Sequence, residues 1–223
     1  MTPSVFSVDV AGLARHPNPV ACVVMGRRAP LAVIADDGRR IEGDVLIIRP
    51  GIEHRIDCAG GLTAMYLDGL RWAGRDPLAE RLDGRLGALA RDGMDLDGNA
   101  QLELRARLQG RDREPDGPFR TLLAMLDTEP MNRMSQLDLA ARLGLERTRA
   151  LRYFKATTGT TFRGYKRWVG LQHAARLIVA GELVRTAALD SGFADTAHLT
   201  RTFRNSFGLT PSAAIAGMPT IGR

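Results

Sequence analysis

Threonine and basic side chains recur at helical intervals of three and four residues in two stretches of the second half of the chain. The residues concerned are Thr148, Arg149, Arg152 and Lys155 in the first stretch, and Thr196, Thr200, Arg201 and Arg204 in the second. Spacings of three and four residues place side chains on one face of an α-helix. An α-helix fits the major groove of DNA, where arginine binds guanine through two hydrogen bonds and threonine contacts a thymine methyl group. The pattern therefore predicts two helices that read double-stranded DNA.

Both stretches belong to an internal repeat of a helix, a tight turn and a second helix. The pairs that recur 48 or 49 residues apart are Gly144 and Gly192, Arg152 and Arg201, and Phe154 and Phe203. The turn brings two helices together at a steep angle, which favours glycine in a left-handed backbone conformation. The residues expected to face inward are Ala140, Leu143, Phe154, Ala188, Leu199 and Phe203.

Helical periodicity extends over the chain from residue 119 onward. The residues that keep the spacing of one buried helix face are Phe119, Leu122, Leu123 and Leu126. Pro130 is expected to end that helix. Ser135 and Asp138 have the spacing of a capping box, which predicts a helix that ends at Gly144.

The second repeat resembles a known family. Residues 192–212 read Gly-Phe-Ala-Asp-Thr-Ala-His-Leu-Thr-Arg-Thr-Phe-Arg-Asn-Ser-Phe-Gly-Leu-Thr-Pro-Ser, which is similar to the C-terminal signature of AraC/XylS-type transcription regulators. The resemblance extends back to Ser135 and includes residues 165–177, which by this resemblance form a long helix that joins the two repeats. It implies a DNA-binding unit whose two recognition helices enter successive major grooves, in a regulator that activates by contacting RNA polymerase.

The resemblance and the helical faces together assign roles to individual side chains. The residues expected to read bases are Thr148, Arg149, Leu151, Arg152, Thr196, Thr200 and Arg201. The residues expected to contact phosphates are Lys155, Arg163, Lys166, Arg167, His198 and Arg204. Departures from the family pattern lie mostly in the first repeat, where Glu146 replaces the usual Ser or Asp cap and Leu151 replaces a polar residue. Gly170 stands inside the connecting helix, where glycine costs about 1 kcal/mol relative to alanine.

Charge separates the two halves of the chain. The 223 residues carry a formal net charge of +6, with 44% hydrophobic and 25% charged residues, which excludes a mainly unfolded chain. Residues 1–118 contain 16 basic and 18 acidic side chains, whereas residues 119–223 contain 15 and 7. The second half is therefore the candidate partner of a polyanion.

The N-terminal half has the pattern of a small β domain. Short apolar runs lie at residues 20–25, 31–35, 45–48 and 62–67. Runs of this length predict strands, and Asp37-Gly38 predicts a hairpin turn between Ile34 and Ile41. The expected fold class is α+β with two domains: a small N-terminal β-barrel or sandwich that is cupin-like, a helical linker, and an all-α domain with two helix-turn-helix units joined by a long helix.

Two segments connect the halves. The leucines that share one predicted helical face are Leu78, Leu82, Leu86 and Leu89. Such a face indicates either a helix packed on its own sheet or a dimer seam. The charged, glycine-containing run at residues 110–117 predicts a linker. We therefore place a β domain at 1–75, a helical dimerisation segment and linker at 76–118, and the DNA-binding domain at 119–223, and we expect a homodimer.

Residues 43–54 suggest what the β domain senses. They read Gly-Asp-Val-Leu-Ile-Ile-Arg-Pro-Gly-Ile-Glu-His, which resembles the second sequence motif of cupins and implies a barrel that senses small molecules. His54 is the side chain expected to contact an effector. A metal-dependent cupin needs several clustered ligands, whereas only His16 and His54 are available and His16 lies in a predicted loop. Neither a metal nor another cofactor is expected.

Other features of the sequence exclude further classes of function. No nucleophile motif or phosphate-cradling glycine loop is present, so an enzyme is not expected. No apolar run reaches the ~18 residues of a membrane helix and no secretory signal is visible, which predicts a cytoplasmic protein. Cys22 and Cys58 are expected to be buried. Two alternatives stay open: a cupin-type metalloenzyme fused to a DNA-binding domain, and a DNA-binding protein whose barrel only dimerises.

Overall fold

The computed structural model describes residues 4–70, 76–109, 117–129 and 134–218. Two compact units are present, which we call the β unit (residues 2–110 and 201–223) and the helical unit (residues 111–200). Strands occupy the chain up to Arg81, and helices follow. The expected α+β fold with two domains is confirmed.

The strands of the β unit form two antiparallel sheets. The strands are β1 (Ser4–Val8), β2 (Gly12–Pro17), β3 (Ala21–Gly26), β4 (Leu31–Ala35), β5 (Arg40–Gly43), β6 (Val45–Ile48), β7 (Glu53–Asp57), β8 (Leu62–Leu67) and β9 (Ala79–Arg81). The sheet orders are β1-β8-β3-β6-β9 and β2-β7-β4-β5, and the two sheets do not close into one barrel. The four apolar runs are strands β3, β4, β6 and β8, as predicted, and the predicted hairpin joins β4 to β5.

The helices begin within the β unit and make up the described part of the helical unit. They are α1 (Gly84–Met94), α2 (Gly98–Gln109), α3 (Gly117–Thr128), α4 (Gln136–Leu143), α5 (Arg147–Thr158), α6 (Phe162–Val179), α7 (Val184–Asp190), α8 (Thr196–Phe207) and α9 (Pro211–Ala216). Val23, Ile47 and Met65 project from one face of the first sheet into a core that includes Leu89 of α1 and Leu104 of α2. Burial of each such side chain stabilises the fold by about 1.5–3 kcal/mol.

The leucine-rich segment is only partly helical, which corrects the prediction of one helical face from Leu78 to Leu89. Leu78 directly precedes β9, and Asp83 is the N-cap of α1, so Leu78 and Leu82 lie outside the helix. Leu78, Leu82 and Leu89 are at most 4% exposed, because they are covered within the chain. The segment therefore packs on its own sheet, and the interpretation of these leucines as a dimer seam is wrong.

The core of the helical unit is built around Phe154. Its ring centroid lies 5.5 Å from that of Phe119 and 5.3 Å from that of Phe162. The hydroxyl of Tyr165 donates a hydrogen bond to Oδ1 of Asp127 at 2.9 Å, which ties α6 to α3. The predicted burial of the α3 face is confirmed. Residues 110–116 of the predicted linker and the helix-ending proline at position 130 lie outside the described residues.

The C-terminal part of the β unit approaches its strands at a point where only glycine fits. Gly208 has a φ of 71°, and its carbonyl accepts a hydrogen bond from the Ala14 N–H at 2.9 Å. A Cβ atom on Gly208 would lie 2.5 Å from the Ala14 oxygen and 2.6 Å from Nδ1 of His16. Beside it, the Phe207 ring packs edge-on against Tyr66, with 5.5 Å between centroids.

Candidate DNA-binding surface and effector site

Helices α4 and α5 form the first helix-turn-helix unit, and local sequence accounts for its turn. The hydroxyl of Ser135 accepts from the Asp138 N–H while the Asp138 carboxylate accepts from the Ser135 N–H, so the predicted capping box is confirmed. Helix α4 ends at Gly144 in the left-handed region, with a φ of 62°. The Leu145 N–H then bonds back to the Ala140 carbonyl at 3.0 Å. These bonds close the helix end and turn the chain into α5.

Helices α7 and α8 repeat this turn in the second unit. Gly192 has a φ of 78°, and the Phe193 N–H bonds back to the Ala188 carbonyl at 2.9 Å. Oδ1 of Asp195 accepts from the His198 N–H at 2.6 Å, which caps the first turn of α8. The same backbone bonds at equivalent positions confirm the repeat predicted from sequence.

The side chains predicted to read bases differ in their exposure. Those that are exposed are Thr148, Arg149, Arg152 and Arg201. Thr196 and Thr200 are half-buried on α8. Leu151 is half-buried and packs against the core of the helical unit, which leaves only part of its side chain free for a base. The positions predicted to face inward are buried except Leu143, which is half-buried.

Most of the predicted phosphate contacts are exposed. They are Lys155, Arg163, Arg167, His198 and Arg204. Lys166 differs, because its Nζ donates to the Met134 carbonyl at 2.8 Å and lies 5.7 Å from the centre of the Phe162 ring. Burial lowers the pKa of Lys166. One of its three N–H groups thus holds the chain before α4, and two are left for a phosphate.

Among the described residues, several arginines of the strands and of α1 and α2 pair with carboxylates, whereas the arginines predicted to contact DNA do not. Arg40 pairs with Asp57 at 3.3 Å, and Arg85 pairs with Glu103 at 2.7 Å. In the part of the chain that the structure describes, several basic side chains of the repeat form no ion pair: Arg149, Arg152, Lys155, Arg163, Arg167, Arg201 and Arg204. These charges are available for the phosphate oxygens of a nucleic acid.

Gly170 explains how the connecting helix holds the second unit. It lies inside α6, where a Cβ atom would stand 2.8 Å from the carbonyl oxygen of Ser191. Ser191 itself is 4% exposed, and its hydroxyl has no hydrogen-bond partner among the described residues. Glycine at this position therefore allows α6 to approach the turn after α7, a reason that the sequence alone did not reveal.

The β unit places His16 directly opposite His54, which corrects the predicted loop position of His16. His16 lies on β2 and is the cross-strand partner of His54 on β7, with 4.6 Å between ring centroids. Nδ1 of His16 bonds to the Ala14 carbonyl at 2.7 Å, and Nδ1 of His54 bonds to the Ile52 carbonyl at 2.8 Å. Because a carbonyl only accepts, both Nδ1 atoms carry the hydrogen and both Nε2 atoms are acceptors in the neutral rings.

Asn18 completes this buried polar cluster. Its Nδ2 donates to Nε2 of His54 at 3.5 Å, and its Oδ1 has no partner among the described residues. Burial and the adjacent His54 ring lower the pKa of His16 to about 4, and burial lowers the pKa of His54 as well. Both rings are therefore neutral at physiological pH. Such a cluster is rich in acceptors and suits a ligand that donates hydrogen bonds.

The remaining candidates for chemistry are few. Cys22 and Cys58 are buried free thiols, as predicted, and burial raises the pKa of both, that of Cys58 to about 11. Within the described ranges, no group of three or more His, Cys, Asp or Glu side chains is arranged to hold a metal ion. None of the helices described is long and apolar enough to span a bilayer.

Known proteins share parts of this chain or its fold. Residues 139–216 match a family described as a helix-turn-helix domain. ToxT from Vibrio cholerae O395 is 10% identical and aligns over 99% of each chain with a TM-score of 0.64. Wild-type ToxT from Vibrio cholerae strain SCE256, solved with bound unsaturated fatty acid, is 10% identical over 99% of this chain and 96% of its own, with a TM-score of 0.61. A probable AraC family transcriptional regulator from Rhodopseudomonas palustris CGA009 is 26% identical over 47% of this chain and 100% of its own, with a TM-score of 0.41. No curated protein sequence matches the chain.

The repeated turns, the unpaired basic side chains and the family match define a DNA-binding protein of the transcription-regulator class. Its helix-turn-helix domain is of the AraC/XylS type, as the run at residues 192–212 indicated. The chain as a whole shares the two-domain fold of ToxT.

Proposed function

We propose that the protein is a sequence-specific transcription regulator in which α5 and α8 read adjacent parts of one operator. The observation that carries this proposal is that exposed basic side chains lie on two equivalent helices without carboxylate partners. Arg152 and Arg201 occupy equivalent positions of the repeat, and both are exposed. Each is suited to bidentate binding of a guanine, while the neighbouring cations position the helix on phosphates.

The mode of regulation follows from the family resemblance. We propose that the protein activates transcription by contacting RNA polymerase and that it acts as a homodimer. The functional division proposed is a β domain at residues 1–75, a helical segment at 76–118 and the DNA-binding domain at 119–223. Because the buried leucines of the middle segment are covered within the chain, the proposed homodimer forms through another surface.

We further propose that a small-molecule effector binds the β domain at His54, together with His16 and Asn18. The buried Asn18 oxygen without a partner supports a ligand site here, because such an atom costs free energy unless it accepts a hydrogen bond. The acceptor atoms of the cluster favour an effector with hydroxyl or N–H donors. Screening small alcohols, phenols and amines by thermal shift tests this, since a ligand of the folded state raises its stability.

Selection of genomic fragments by the purified full-length protein tests the DNA-binding proposal. Specific sites commonly bind ~10³ to 10⁷ times tighter than random DNA, so a few loci should be strongly enriched near physiological salt. A motif that spans two adjacent major grooves is the expected result. Uniform recovery of all fragments that disappears with added salt would show phosphate binding only and would contradict the proposal.

A further inference from the structure

Glu146 is an isolated acidic residue on the basic face of the first helix-turn-helix unit. Between Asp138 and Glu182 it is the only Asp or Glu, whereas the same stretch contains nine Arg and Lys residues. It is exposed at the N-cap of α5, beside the predicted base readers Thr148 and Arg149. A carboxylate at this place repels phosphates, so general affinity for DNA gives no reason for it.

The backbone N–H groups that Glu146 caps at the start of α5 both bond to one oxygen of its carboxylate. Oε2 accepts from the Thr148 N–H at 2.8 Å and from the Arg149 N–H at 3.2 Å. These backbone hydrogen bonds lower the pKa of Glu146, so that it is ionised at neutral pH. Among the described residues Oε1 forms no backbone hydrogen bond and no ion pair. The Thr148 side chain also hydrogen-bonds the carboxylate, but each carboxylate oxygen has two lone pairs, so Oε1 can still accept a further hydrogen bond.

The second repeat shows that capping does not need so long a side chain. The residue equivalent to Glu146 is Asp195, whose Oδ1 already accepts from the His198 N–H at 2.6 Å. Ser, Asp and Asn are the usual caps, because their short side chains reach the first free N–H groups. The additional methylene of Glu146, which Asp195 lacks, therefore requires a reason other than helix stability.

Base recognition supplies that reason. The N-terminal residues of a recognition helix contact base edges in the major groove, where a Glu or Asp oxygen accepts from the N4 amino group of cytosine. The two bonds to Oε2 hold the Glu146 side chain in place before DNA arrives, so little conformational entropy is lost on binding. The O6 and O4 acceptors of guanine and thymine would be repelled by the same oxygen.

We propose that Glu146 is a specificity-determining residue whose Oε1 accepts a hydrogen bond from a cytosine amino group in the part of the operator read by α5. This inference rests on the proposed DNA-binding function. Glu146 weakens general phosphate binding and in return discriminates between bases at one position. The predicted base reader Leu151, four residues before Lys155 on the same helix, has no hydrogen-bonding group that could do so.

The test is selection of randomised DNA duplexes by the full-length wild type, Glu146→Gln and Glu146→Ser, near physiological salt. The wild type should select cytosine at one position of the part read by α5. Glu146→Gln keeps an oxygen for the cap but adds an N–H donor, so it should shift the preference toward adenine. Glu146→Ser keeps a capping hydroxyl and should lose discrimination at that position by about tenfold.

The part of the operator read by α8 is the internal control, because Glu146 lies on the other repeat. Its base preferences should be the same in all three proteins, and far-ultraviolet circular dichroism should show the same helix content. An identical motif for all three proteins would show that Glu146 only caps the helix and would overturn this inference alone. Absence of any motif with the wild type would overturn the proposed function together with the inference.

Discussion

Replacement of Gly170 by alanine has two opposite effects on the free energy of unfolding, one through helix propensity and one through tertiary packing. Alanine inside α6 favours the helix by about 1 kcal/mol relative to glycine. The added Cβ atom, however, would stand 2.8 Å from the backbone oxygen of Ser191. That oxygen belongs to a turn held by the hydrogen bond between the Phe193 N–H and the Ala188 carbonyl. The backbone therefore cannot yield as a flexible side chain would.

The structure gives the size of the expected effect. Ordinary van der Waals contact begins at 3.4 Å, so α6 and the turn have to separate by about 0.6 Å. Small-to-large changes in a packed interior cost about 1–3 kcal/mol. After subtracting the gain in helix propensity, we expect Gly170→Ala to lower the free energy of unfolding by about 1 kcal/mol.

Urea unfolding followed by far-ultraviolet circular dichroism measures this change. With a slope of roughly 2 kcal/mol per molar urea, the unfolding midpoint should fall by about 0.5 M. The matched control is Gly98→Ala at the first residue of α2, where no atom lies within 4 Å of the added Cβ and the midpoint should stay or rise slightly. A rise in stability for Gly170→Ala would refute the close approach of α6 to Ser191.

Three further predictions concern the histidine cluster and the arginines. The pKa of His16 is about 4 in the folded protein, against an ordinary value of 6.5. As the pH falls, the unfolded chain therefore binds a proton before the folded protein does. The free energy of unfolding should fall by about 2 kcal/mol between about pH 7.5 and 5. Denaturant unfolding at several pH values checks this, and a His16→Gln variant should lose most of that dependence. Arg201→Ala should weaken binding to the specific site by about 1–3 kcal/mol and relax the base preference at one base pair. Arg167→Ala should instead weaken binding to all DNA sequences by the same amount. If Arg201→Ala also weakened binding to specific and random DNA equally in competition assays, the base-reading role would be contradicted. Metal analysis of the purified protein should find no stoichiometric iron, nickel or zinc, and a stoichiometric metal that disappears in His54→Ala would instead support the cupin-type metalloenzyme.

The double helix-turn-helix domain could be predicted from sequence because its signals are local. Each of these signals acts within a few residues. They are the left-handed glycines at 144 and 192, the Ser135 capping box, and the helical spacing of the residues around Arg152 and around Arg201. The strands could be predicted for the same reason, because a short apolar run is itself a local signal. The first half of the leucine-rich segment was predicted wrongly, since Leu78 and Leu82 fit a helical spacing but lie beside strand β9.

The sequence by itself determined the repeat, the charged face and the chemistry available on each recognition helix, since periodicity and capping are properties of neighbouring residues. Only the tertiary structure decided which distant residues meet. The pairing of His16 with His54 depends on the register of β2 against β7, and the need for glycine at position 170 depends on where Ser191 comes to lie. Periodicity shows which face of a helix or strand is buried, but the partner of that face is set by how all the elements pack together.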